Sequence, residues 1–396
     1  MKTNIAVFFG CRSVEHEVSI ISAVQAMHSI NRNKYDVTPI YVSKDGTMYS
    51  GDALFEIDNY KNLDALFKSA YKINLLRDNG KVYVQRLDTK RFKIAKATVI
   101  DVAFPIVHGT NCEDGTLAGY LEYLGLPYVG CDIISASVGM DKAIFKDVLV
   151  AAGLPCVPCI RFRAREYSLN KDELLNKIET EISFPLIIKP INLGSSVGIT
   201  KVDSRAELEE AISLAMSFSD KILAEKAIEN LREINCSVLG DPDECCASVC
   251  EEPIMHDNIL SYEDKYMGSK QSGPSKGMQS LGRKIPADIS EDKAEEIKAL
   301  SCKIFKALGA SGVVRIDYLM NDKTGEVFAN EINTIPGSLA FYLWDASGLK
   351  YTDMIDRLIE IAFRRQRNRD NLSFTIDTNI LSGVSFGSKG SKGAKL

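Results

Sequence analysis

The sequence predicts an α/β (α+β) fold that opens with a parallel-sheet domain, and three stretches carry that prediction. The first is a strand–helix–strand start over residues 4–42, the unit from which parallel sheets are built. The second is a run of alternating helices and strands from 141 to 228. The third is a pair of runs, GVVRIDYLM and GEVFANEINTIPG, joined by the turn Asn321-Asp322-Lys323-Thr324-Gly325, which reads as a hairpin.

Residues 4–10 are almost wholly apolar and end in glycine, as a buried strand does. Ser13 offers an N-cap, and Val18, Ile20, Ile21, Val24, Met27 and Ile30 then recur at helical spacing. YDVTPIYVS is the next strand, ATVIDVAFPIVHG a further strand run, TLAGYLEYLG a helix and PYVG a short strand, so the first domain closes near Cys131. A helix over 141–152 leads through Gly153 into the strand CVPCIRF. A helix near 171–181, the strand PLIIKP, a Gly/Ser loop, the strand GITKV, a helix near 205–218 and the strand KILAEKAI complete a second unit. ASVCEEPI resumes a sheet, and the polar stretch SYEDKYMGSKQSGPSKGMQSLGRKIP, poor in core positions, reads as an exposed lid loop. AEEIKALSCKIFKALG is a helix before the hairpin, and YTDMIDRLIEIAFRRQ is a last amphipathic one. The expected domains are 1–131, 132–235 and 236–368, with 369–396 a disordered tail.

A chain of 396 residues can bury two or three cores, and 45% hydrophobic with 26% charged residues is ordinary for a soluble enzyme. The net charge of −5 lacks the basic excess of a nucleic-acid binder, and no apolar run is long enough to cross a bilayer. MKTNIAVFFG is too short and polar-flanked for a signal peptide. The ten cysteines lack the framework of a small secreted domain, and Cys156-Val-Pro-Cys159 has no second pair at zinc-finger distance. They read as buried reduced thiols in a cytoplasmic protein.

Residues two apart on a strand share a face, so Arg315 with Asp317, and Glu331 with Asn333, would place two carboxylates, an amide oxygen and a guanidinium together. Hard oxygen ligands beside an arginine suit Mg²⁺-bridged phosphates; a surface salt-bridge cluster is the alternative. Lys189 ends PLIIKP, and Gly194-Ser195-Ser196-Val197-Gly198 follows, a loop whose backbone N–H groups can approach an anion beside a lysine. Neither a Walker-type nor a Rossmann fingerprint is present. The same five residues match the G-x-S-x-G elbow of serine hydrolases, with Ser196 central and His256 following in order. An elbow needs a helix next, whereas the strand-like Val197-Gly198-Ile199-Thr200-Lys201-Val202 stands there.

Four separated motifs carry a resemblance to the D-alanine–D-alanine ligase family of ATP-grasp enzymes. They are Phe9-Gly10-Cys11-Arg12-Ser13-Val14-Glu15-His16-Glu17-Val18-Ser19; His108-Gly109 with Glu113-Asp114-Gly115-Thr116 and Met140-Asp141-Lys142; Lys189-Pro190 with the GSSVG loop; and Arg315-Ile316-Asp317 with Asn330-Glu331-Ile332-Asn333-Thr334-Ile335-Pro336-Gly337. The resemblance runs from about residue 5 to 364 and implies an ATP-grasp fold behind an N-terminal α/β domain. It implies ATP as nucleotide, with Lys142, Lys189 and Ser196 at the phosphates, Glu225 and Lys226 at the adenine and Glu233 at the ribose. Asp317, Glu331 and Asn333 would hold two Mg²⁺ ions, Mn²⁺ being an alternative. Glu15, oriented through Ser195 and Tyr266, would hold the first D-amino acid, and Arg315 with the Gly337 N–H would stabilise the oxyanion. His108, Glu113, Lys265 and Tyr342 would contact substrate. The implied reaction joins two D-amino acids through an acyl phosphate for peptidoglycan precursor synthesis, in a homodimer with no nucleic-acid or membrane partner. Local alternatives stay open. Glu15 also suits a first-turn helix acid, Lys142 a surface lysine, His108 a packed histidine and Tyr266 a loop anchor.

One departure bears on the second substrate. After Gly337 the chain reads Ser338-Leu339-Ala340-Phe341-Tyr342-Leu343-Trp344, with Tyr342 where the family offers a serine to that substrate's carboxylate. D-alanine, D-serine, D-lactate and other nucleophiles therefore remain candidates. An ATP-binding protein without ligase activity is the other class, although Glu15, Ser195, Arg315 and Gly337 are all present.

Overall fold

The computed structural model describes residues 2–87, 98–194, 197–254 and 282–383. Three sheets organise it. The first comprises β1 (Thr3–Gly10), β2 (Tyr35–Val42), β3 (Met48–Ser50), β4 (Tyr71–Asp78), β5 (Lys81–Arg86), β6 (Thr98–Ile100) and β7 (Val102–Pro105), in the order β6-β5-β4-β3-β2-β1-β7. Only β2, β1 and β7 are parallel, so the expected parallel sheet is a mixed one. Its antiparallel half comes from residues 48–86, which the sequence reading passed over. The β4–β5 hairpin closes through Asn79-Gly80, both at positive φ (47° and 74°), as a tight two-residue turn requires.

The run ATVIDVAFP divides at Asp101, because β6 joins β5 antiparallel while β7 joins β1 parallel. PYVG makes only an isolated bridge, Tyr128 to Ala103, and not a strand. The first helix starts at His16 with Glu15 in the capping position. Ser13, the expected cap, instead accepts the Glu15 N–H at 3.1 Å.

The second sheet holds β8 (Cys159–Arg163), β9 (Leu186–Pro190), β10 (Thr200–Val202) and β11 (Lys221–Lys226), antiparallel in the order β10-β9-β11-β8. Helices Lys171–Glu181 and Arg205–Met216 cover one face around Leu175, Ile178, Leu208 and Ile212. The third sheet holds β12 (Leu231–Gly240), β13 (Cys245–Pro253), β14 (Arg283–Lys284), β15 (Gly312–Asn321) and β16 (Val327–Asn333), in the order β14-β13-β12-β15-β16. β12 pairs with β15 along its whole length, so the boundary expected at 235/236 falls inside a strand. The connection between the second and third sheets is instead the segment 227–230.

Helix Glu291–Ala307 packs on the third sheet through Ile297, Ile304 and Phe305. The last helix, Tyr351–Asp370, buries Met354, Ile355, Leu358 and Ile359 in one core with Ile5, Val7, Phe9 and Met27 of the first domain and Leu239 and Val313 of the third sheet. Of the expected tail, residues 369–370 end this helix and 380–383 form a short turn, while 384–396 lie outside the described residues.

Candidate active site

The β15–β16 hairpin forms as the alternation predicts, with Arg315 opposite Asn333 and Asp317 opposite Glu331. After Asp317 the register shifts, so that Tyr318 faces Ala329 and Asn330 is the extra residue of a bulge. Bulging puts Asn330 beside Glu331 on the wall of one cavity instead of on opposite faces. Asp317 accepts two bonds from Arg315, Nε to Oδ1 at 2.6 Å and Nη2 to Oδ2 at 2.7 Å, and a third from Asn333 Nδ2 at 3.0 Å. Lys142 lies 3.0 Å from Glu331 Oε2 and donates to the Leu193 carbonyl at 2.8 Å. Its helix, Lys142–Ala151, is capped by Asp141, whose Oδ1 accepts the Ala143 and Ile144 N–H groups. Lys142 is therefore buried beside the hairpin and is not a surface lysine.

The cavity, about 900 Å³, opens between the second and third sheets. Lys142, Lys189, Asp317, Asn330 and Glu331 are among its charged and amide groups, while Ile187, Ile199, Ala227, Ile228, Leu231 and Leu319 give it apolar surface. Glu233 and Lys226 line it as well. The Lys226 ammonium donates to the carbonyls of Phe184 at 2.9 Å and Ser183 at 3.3 Å. Glu225 is ion-paired on both oxygens, with Lys189 on Oε1 and Lys146, 3.1 Å away, on Oε2. Burial opposes its ionisation, but the charges of Lys146 and Lys189 outweigh that and hold its carboxyl below the ordinary range. Burial pulls the Lys189 ammonium down, Glu225 opposing.

The oxygen-only set of Asp317, Glu331 and the Asn333 amide suits Mg²⁺ or Mn²⁺. Each carboxylate already has a cationic partner, Arg315 or Lys142, as metal-binding carboxylates held in place require. Among the described residues no three His, Cys, Asp or Glu side chains converge. A set of this size fits a cation that also takes phosphate oxygens, as Mg²⁺ does.

The first domain meets this cavity at the glycine-rich loop. Glu15 is buried, and a Cβ on Gly194 would stand 3.2 Å from its Oε2. Gly109, at φ +80°, presses still closer: a side chain there would meet Ser13 Oγ and lie 2.9 Å from Glu15 Oε2. His108 has both ring nitrogens engaged, Nδ1 with the Ile335 carbonyl at 2.8 Å and Nε2 with Ser22 Oγ at 3.0 Å, while Ser22 accepts the Ser338 N–H. Glu113 accepts the N–H groups of Gly109 and Ile335, each at 2.9 Å, and the Thr334 hydroxyl at 3.2 Å. Burial, then the charge of Glu15, pushes its carboxyl up to about 7. His108 and Glu113 therefore strap the first domain to the 334–338 segment, a positioning task that the expected substrate contacts did not include. Gly337 opens a turn in which Ser338, Leu339 and Ala340 are all left-handed, with φ of 51°, 55° and 50°.

Tyr342 has a partner inside the protein. Its hydroxyl donates to Glu251 Oε1 at 3.0 Å, and the Arg283 guanidinium lies 4.3 Å above its ring. Glu251 is buried and gathers Asn235, Arg283 and Tyr342, so the phenol's proton serves this internal carboxylate. Ser195, Ser196, His256, Lys265 and Tyr266 lie outside the described residues, as does the presumed lid up to residue 281; its last part is not a loop, since Arg283 and Lys284 form β14 against β13. The sequence reading missed Lys146, Asn330, Glu251 and Arg283. Lys146 carried a signal, four residues after Lys142 on one helix face, and Asn330 stood at the head of the Asn330-Glu331-Ile332-Asn333 motif without a role of its own.

Two antiparallel sheets closing on a cavity walled by lysines and carboxylates, behind an α/β domain, make this an ATP-grasp protein. Family models described as the D-ala D-ala ligase N-terminus and C-terminus match residues 4–131 and 148–360. The chain belongs to the D-alanine–D-alanine ligase family. A D-alanine–D-alanine ligase of Thermosipho melanesiensis is 40% identical over 379 residues, covering 96% of this chain and 98% of that relative. Among solved structures, the D-alanine-D-alanine ligase from Coxiella burnetii gives a TM-score of 0.78 at 30% identity, over 93% of this chain and 96% of its own. The VanG D-Ala:D-Ser ligase from Enterococcus faecalis gives 0.76, also at 30% identity, over 91% and 100%.

Proposed function

We propose that this protein joins two D-amino acids, D-alanine with D-alanine first among them, at the expense of ATP, supplying a dipeptide for peptidoglycan precursors in the cytoplasm. The observation that carries this reading is the meeting of Glu15 with Gly194 at the edge of a cavity that also holds Lys142, Lys189, Asp317 and Glu331.

A carboxylate oxygen of the first substrate attacks the γ-phosphorus, ADP leaves, and an acyl phosphate forms. The uncharged amine of the second substrate then attacks the acyl carbon; the nitrogen loses a proton and inorganic phosphate departs. Lys142 and Lys189 hold the polyphosphate, Lys226 and Glu233 belong to the nucleoside end together with the backbone of Glu225, whose carboxylate is taken up by Lys146 and Lys189, and the apolar cavity surface takes the base. Asp317, Glu331 and Asn333 would hold Mg²⁺, two ions in this reading, to offset phosphate charge. Glu15 takes the first ammonium. Arg315 and the Gly337 N–H face the developing oxyanion, Ser195 and Tyr266 would orient Glu15, and Lys265 would contact substrate. A homodimer is the assembly we expect.

The commitment of Tyr342 to Glu251 favours keeping the acceptor open, and D-serine and D-lactate stand beside D-alanine. Phosphate release with ATP and Mg²⁺ over a panel of D-amino-acid and D-hydroxy-acid pairs, with products identified by mass spectrometry, tests this. D-alanyl-D-alanine should form. Phosphate release with none of the pairs would overturn the ligase reading.

A further inference from the structure

Lys189, Glu225 and Lys146 form a chain of charges whose side chains are 3%, 2% and 3% exposed. Two of the three Lys189 N–H bonds are directed by protein, one to Glu225 Oε1 and one to Asn330 Oδ1 at 3.0 Å. An ammonium is tetrahedral, so fixing two protons fixes the line of the third, and Lys189 lines the cavity. The second oxygen of Glu225 is held by Lys146, which also donates to the Val157 carbonyl at 3.4 Å. A single carboxylate between two ammonium groups leaves the buried cluster with one net positive charge.

We propose that Lys146 is a positioning residue for the nucleotide grip: by neutralising Glu225 it leaves the charge of Lys189 available to a polyphosphate, and by holding Glu225 it aims Lys189 at the cavity. This rests on the reading of the cavity as a nucleotide site. Glu225 and Lys189 alone would close into a neutral pair that has little to offer an anion. Lys146 restores the charge from a position that need not touch the ligand. The arrangement also accounts for a lysine standing where burial makes an unpaired one costly: it is one arm of a three-membered ion-pair network.

The test reads nucleotide binding, not ligation: titration with a non-hydrolysable ATP analogue and Mg²⁺ by calorimetry, with circular dichroism and thermal unfolding to verify folding. Lys146→Met should weaken analogue binding roughly ten- to thirtyfold, the scale of one unit charge about 8–12 Å from a phosphate at an effective dielectric constant of about 20. The double variant Lys146→Met with Glu225→Gln removes both charges, returns the net charge to that of Lys189, and should bind the analogue more tightly than Lys146→Met alone. A purely structural role predicts the opposite, since two losses would accumulate. Should Lys146→Met fail to fold, Lys146→Arg replaces it, with binding kept within about threefold of wild type because the charge remains. Unchanged binding in Lys146→Met, a double variant weaker than the single one, or a folded Lys146→Arg that loses binding would each overturn the proposal. Wild-type protein that fails to bind the analogue would overturn the nucleotide-site reading itself, whereas binding without phosphate release would overturn only the ligase reading.

Discussion

Glu113 shows how a buried carboxylate can serve as a mechanical strap. Its folded carboxyl is raised from 4.5 to about 7, first by burial and next by the charge of Glu15. A raised carboxyl favours the folded state below about 4.5, and that contribution disappears as pH rises through about 7. Wild-type protein should therefore lose up to about 3 kcal/mol between about pH 5 and about pH 8 from this group. His108, whose ring burial drives down, works in the opposite direction as pH falls. Denaturant unfolding of wild type against Glu113→Gln isolates the term: the variant should show the flatter pH profile, and parallel profiles would show that Glu113 does not titrate in this window. Tyr342 makes a second case. Tyr342→Phe removes one of three donors to buried Glu251, costing about 1–3 kcal/mol of stability. Acceptor KM should move less than threefold. A larger rise in KM with stability unchanged would return the phenol to the substrate.

The hairpin was legible because its alternation, its turn residues and its polar tips agreed with one another. Strand pairing delivered the opposition of Asp317 with Glu331 that a shared face implies. The bulge at Asn330 was not legible. Period-two patterning fixes faces only while the register is unbroken, and Asn330 is polar whichever way it points. Residues 48–86 went unread because β4 and β5 are mostly exposed and carry few core positions, although Asn79-Gly80 between alternating runs was a hairpin signal in plain view. Site roles follow the same division: motif residues such as Lys189 stand out in sequence, while Glu251 and Arg283 acquire their part only when β13 and β14 pair. Glu331→Gln tests the hairpin as a metal-bearing element. It should lower Mg²⁺-dependent turnover by more than roughly tenfold, the smaller of the losses seen when even an outer-shell partner is changed. Thermal unfolding should stay near wild type. Unaltered Mg²⁺ dependence would remove the hairpin from the metal site.

At the scale of the whole molecule, three sheets share two seams. One is the cavity between the second and third sheets; the other is the core that the helix Tyr351–Asp370 shares with the first domain. Arg365 reinforces the latter by donating to the carbonyls of Gly130 and Tyr128, both at 2.6 Å. Alternation of helix and strand announced the layers, yet it could not announce that the chain's end returns to its beginning, since nothing local in YTDMIDRLIEIAFRRQ names its partner. Among the described residues no helix is long and apolar enough to cross a membrane.

That return has a consequence for biosynthesis. Ile5, Val7 and Phe9 leave the ribosome first, but Met354, Ile355, Leu358 and Ile359, which cover them, are made more than three hundred residues later. At roughly 5–20 residues per second the nascent first domain waits tens of seconds with an apolar face uncovered. Its early folding should depend on chaperones that shield such faces. Chains stopped at residue 350 should partition into the insoluble fraction, and adding back a peptide spanning 351–370 during translation should recover soluble protein.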